Sequence, residues 1–109
     1  MNRLPMSSAA AGLLRALLAR AGIHRDRIFL TQMRSTDWQS LTLIGERHHL
    51  HFTIPGPEAA AVAARMTDGL EEADFAISGQ IVADIGLGKL QAAGDGSIEI
   101  AIEALTVEE

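Results

Sequence analysis

The chain contains no cysteine. That absence excludes a disulfide framework, cysteine-ligated zinc, iron–sulfur ligation and a thiol nucleophile. Lysine is almost missing as well: Lys89 stands alone against eight arginines. It falls at the end of a hairpin segment, where side chains are exposed, whereas Schiff-base chemistry needs a desolvated amine. No apolar run is long enough to cross a bilayer, because Arg15 and Arg20 interrupt the one near the amino terminus. No acid precedes Asp26, so residues 1–22, rich in Arg, Ala and Ser, share their composition with transit peptides. No stretch rich in Pro, Gly and Ser divides the chain, and no repeat of the residues themselves is evident.

What remains is 109 residues, 48% hydrophobic and 21% charged. This composition excludes intrinsic disorder and supports a core without covalent or metal support. The expectation is a single domain, 1–109, with residues 1–7 as a flexible tail, soluble and cytoplasmic. The net charge of −5 conceals an asymmetry: residues 1–65 hold eight arginines and four acids, residues 66–109 one lysine and ten acids. The acidic half argues against general nucleic-acid binding. The two halves can pair within one molecule, across neighbouring strands, or between two copies.

Ala10, Leu13, Leu14, Leu17, Leu18 and Ala21 recur at helical spacing with Arg15 and Arg20 off the stripe, which predicts an amphipathic helix over 8–21. Ser7 or Ser8 can cap it, and Gly22 can end it in a left-handed conformation. A strand over 27–36 follows, then a connection at 37–40, then a strand over 41–54 whose parity changes midway. A bulge near Gly45 would reconcile Leu41 and Leu43 with Leu50, Phe52 and Ile54. Pro57 opens a second helix over 57–72, with Ala59, Val62, Ala63, Met66 and Leu70 on its stripe. Two further strands, 75–90 and 97–107, are joined by Ala-Ala-Gly-Asp-Gly. In the first, Ile81, Ala83, Ile85 and Leu87 form the inward set; in the second, Ile98, Ile100 and Ile102 do.

The order α-β-β-α-β-β predicts an α+β two-layer sandwich, a four-stranded antiparallel-rich sheet with both helices on one face. Moving the last strand to the front gives the order of a ferredoxin-like domain, so the chain resembles a circular permutation of that arrangement. That topology makes the second and fourth strands neighbours. It brings Arg47, His49 and His51 beside Glu99 and Glu103, with Asp84 one strand further, on the uncovered face.

Such a face is either a solvated ionic surface, a subunit interface, or a metal site of two histidines, His49 and His51, completed by a carboxylate from Asp84, Glu99 or Glu103. His48 points the other way and reads as a boundary residue at the bulge. His24 reads as a partner of the first helix's terminal carbonyls. Arg34, Asp37 and Trp38 gather in the stretch 34–39 around that connection, where the only tryptophan either anchors a partner or folds over a helix end as a core lid. Gly86-Leu87-Gly88-Lys89 fails as a phosphate loop, since Ala83 and Leu90 occupy positions that need Gly and Ser or Thr. No serine sits in a nucleophile elbow. No cofactor is implied. The sequence points to a homodimer that binds or assembles rather than catalyses, with a small enzyme or metal-binding protein as the alternative.

Overall fold

Ser7 starts the first helix: its hydroxyl accepts a hydrogen bond from the Ala10 amide at 3.1 Å. The helix α1, Ser8–Ala21, ends at Gly22 with φ 71°, a left-handed conformation that glycine adopts without a Cβ penalty. These elements belong to a computed structural model that describes residues 6–23 and 25–109. The role expected for His24, and residues 1–5 of the expected tail, lie outside the described residues.

After a 3₁₀ turn at Arg25–Arg27 come β1, Phe29–Gln39, and β2, Ile44–Ile54. The helix α2 covers Ala59–Thr67, shorter than the 57–72 expected. Gly69, at φ 62°, breaks the helical path, and Leu70–Glu72 continue as a 3₁₀ turn that still buries Leu70. The strands β3, Gln80–Ala92, and β4, Ile98–Glu108, complete the chain. All pairings are antiparallel, and the strand order is β1-β2-β4-β3. This is the order that the permuted ferredoxin-like topology requires, with both helices on one side of the sheet.

The helices lie on the face formed by the even-numbered residues of β2 and β4. Leu50, Phe52, Ile54, Ile98, Ile100 and Ile102 meet Leu13, Leu17, Val62, Ala63 and Met66 in one buried cluster. Each large side chain so buried contributes about 1.5–3 kcal/mol. The helices also satisfy each other's carbonyls. Arg65 Nε donates to Ala21 O at 2.8 Å, and Arg20 Nε donates to Met66 O at 3.0 Å, with its Nη2 on Asp68 O.

Register departs from expectation in two places. The β2–β4 ladder runs unbroken from Gly45 to Ile54, so there is no bulge at Gly45. Leu41 and Leu43 lie instead in the exposed connection before β2, where their parity carries no meaning. The irregularities are on the outer strands: Thr31 in β1, and Ala83 and Gly88 in β3, are extra residues opposite an uninterrupted partner. The one at Ala83 inverts the part of the inward set that precedes it, while Ile85 stays in the core and Leu87 on the same side of the sheet, as expected. Val82 packs on the core while Ile81 turns to the other face.

Candidate functional site

Residues directly opposite in an antiparallel pair project from the same face. The register therefore writes the uncovered face as five rungs, each read β1, β2, β4, β3. From one end these are Phe29–Thr53–Glu99–Gln91, Gln32–His51–Ala101–Lys89 and Arg34–His49–Glu103–Gly86. Thr36–Arg47–Leu105–Asp84 and Trp38–Gly45–Val107–Ile81 follow.

Arg47, His49, His51, Asp84, Glu99 and Glu103 share this face. Arg34 and Trp38 join them, because the connection expected at 37–40 begins only at Ser40: β1 extends to Gln39 and holds both residues in the sheet. Trp38, half-buried, stands on a strand and is neither a loop anchor nor a lid on a helix end. Asp37 is separated from both. It lies opposite Glu46 on the helix-covered side, where Glu46 Oε1 accepts a hydrogen bond from the Ser7 hydroxyl at 2.7 Å.

The charged residues divide along the midline between β2 and β4. Arg34, Arg47, His49 and His51 stand on β1 and β2; Glu99, Glu103 and Asp84 stand on β4 and β3, with Lys89 the exception. Across the midline His49 Nδ1 is 3.3 Å from Glu103 Oε1. The three-ligand metal arrangement is not formed. His51 lies opposite Ala101, and Asp84 is separated from both histidines by β4. Among the described residues no three His, Asp or Glu side chains gather where they could hold a metal ion.

Sequence patterning missed the apolar end of this face. Leu105 and Val107 are only 8% and 4% exposed although no helix covers them, and Ile81 beside Val107 is 49% exposed. Alternation in β4 pointed to the isoleucines of the opposite face and hid this second apolar set. Next to it, Gly86 and Gly88 leave a notch in β3. It opens into a cleft of about 290 Å³ lined by Arg47, Glu71, Asp84 and Glu103. A slightly larger hollow of about 380 Å³, beside Asp74, Phe75, Ile81 and Glu109, holds no arginine, histidine or serine.

His48 points away from this face, as expected, but it marks no bulge, and the sequence did not reveal its full burial. It faces the helices, fully buried, with Nδ1 2.7 Å from Ser35 Oγ and Nε2 2.8 Å from Thr106 Oγ1. The signal was present: His48 shares its parity with Leu50, Phe52 and Ile54. Burial lowers its pKa, the nearby Glu46 carboxylate opposes that shift, and His49 adds to it. A buried neutral imidazole with both nitrogens paired satisfies itself. Both of its partners are hydroxyls, where nucleophilic triads orient the base with a carboxylate.

Comparison with protein-family models gives no match, and comparison with curated proteins and solved structures gives no significant one. Among the described residues no helix is long and apolar enough to cross a membrane.

Proposed function

We propose that this chain is a homodimeric assembly module of the cytoplasm, in which two copies pack through their uncovered sheet faces. The observation that supports the reading is the division of charge along the sheet midline. A face with a basic half and an acidic half is complementary to a second copy of itself turned about that midline. Cation and anion side by side on one exposed surface contribute only about 0–1 kcal/mol, so opposition to a partner's charges is where this arrangement acts. Four strands of about ten residues offer roughly 15 Å by 30 Å of surface. That is roughly 450 Å² in projection, below the about 800 Å² per partner of a standard-size interface, so the proposed dimer belongs with the smaller, salt-sensitive interfaces.

Sedimentation equilibrium tests the reading. The unaltered chain is expected as a dimer, weakened by added salt. Arg47→Glu and Glu103→Lys each shift it to monomer, and the two variants mixed restore a heterodimer. A chain that stays monomeric at high concentration and low salt overturns the proposal.

A further inference from the structure

Resting on the reading of the uncovered face as a dimer interface, we infer that Arg34 of each copy inserts into the glycine notch of the other. The argument is geometric. A two-fold axis running along the strands between β2 and β4 is the one that places basic columns over acidic ones; an axis across the strands would set β2 over β2 and β4 over β4, like charge on like.

Turning the face about the strand-parallel axis lays every rung over its own copy in reverse order. Arg34 of the rung Arg34–His49–Glu103–Gly86 then stands over Gly86 of the second copy. The twist between packed sheets, about 30°, displaces outer strands by no more than about one rung. Gly86 leaves room there for a long side chain, while at Gly88 the Glu103 carboxylate already lies 3.2 Å from where a Cβ would stand. The cleft at that point carries three carboxylates, from Glu71, Asp84 and Glu103, against the single guanidinium of Arg47. A second guanidinium is what this surplus of acid would take, and its planar fork suits carboxylates. At the apolar end the same operation sets Trp38 over Ile81 of the second copy, an aromatic against an exposed aliphatic.

Gly86 can be filled without harm to the fold. Its φ is not in the left-handed range, and the nearest group to a Cβ there is the flexible end of Glu71, at 3.8 Å. Sedimentation equilibrium on Gly86→Val, Arg34→Ala and the double variant, with thermal melts to verify folding, tests the inference. Each single variant is expected to raise the dimer Kd by about tenfold, because two symmetry-related charged contacts are lost at once. The double variant is expected to be no weaker than the worse single one, because both remove one contact. In isotope-filtered spectra of a mixed-label sample, the Trp38 ring is expected to contact the Ile81 methyls of the other copy. A dimer whose Kd is unchanged by Gly86→Val and Arg34→Ala overturns the notch and leaves the dimer standing. A monomeric parent chain overturns both.

Discussion

Gly45 in β2 lies against Thr106 in β4 so closely that a Cβ on it would fall inside the Thr106 carbonyl oxygen. The obstacle is backbone, held in an unbroken ladder, and cannot rotate aside. Glycine is required here by proximity, since its φ is not in the left-handed range.

Gly45→Ala is therefore expected to destabilise the fold by about 2–3 kcal/mol or more, through forced separation of the two central strands. That corresponds to a Tm lower by roughly 10 °C or more for a domain of this size. Gly94→Ala serves as the control, because no atom lies within 4 Å of a Cβ there. Near-equal melting of the two variants would show that the strands separate without cost.

The imidazole of His48 bridges three strands through Ser35 and Thr106. Thr106→Val keeps the volume but removes the Oγ1 partner of Nε2, and is expected to cost about 1–3 kcal/mol. The site also makes stability depend on pH. With the pKa lowered in the folded chain, the unfolded chain takes up the proton first as pH falls below the ordinary value of 6.5. The stabilisation is complete above that value and is lost as pH falls towards the depressed folded value. Denaturant melts from pH 8 to pH 5 are expected to show a decline that His48→Gln flattens. An equal decline in that variant would assign the effect to other groups.

Gly12 illustrates packing overriding helical preference. Alanine in a helix interior is favoured over glycine by about 1 kcal/mol, yet a Cβ on Gly12 would sit 2.6 Å from Ile77 Cγ2 in the core. Gly12→Ala is expected to lower the Tm in the parent chain and to raise it in an Ile77→Ala background. The same sign in both backgrounds would refute the steric account.

Much of the fold was legible in the sequence, and particular residues show why. Helix α1 has the bounds the periodicity predicts, 8–21, because cap, stripe and terminal glycine agree. The alternation Ile98, Ile100, Ile102 places β4 for the same reason. Local pattern failed where a single residue on one strand has no counterpart on the next. Nothing in Ile81-Val82-Ala83-Asp84 announces an extra residue at Ala83, since the bulge exists only relative to β4. Residues 37–40 read as a connection because Asp and Ser favour turns in isolation, whereas pairing with β2 holds Asp37, Trp38 and Gln39 extended. Of the candidate site, the histidines and acids were found by parity. Leu105 and Val107 were not, because their burial on the helix-free face comes from lateral neighbours distant in the chain.

The three bulges acquire a further meaning from where they fall. Thr31, Ala83 and Gly88 all lie on the two outermost strands, and none interrupts the central pair. A foreign strand seeking to extend the sheet sideways would meet a kinked row of amides and carbonyls that it cannot match in register. Growth by strand addition, the route to fibrils, is thereby obstructed at both ends. The surface left for self-association is the broad uncovered face, and a two-fold partner of the kind proposed would saturate it and keep the assembly finite.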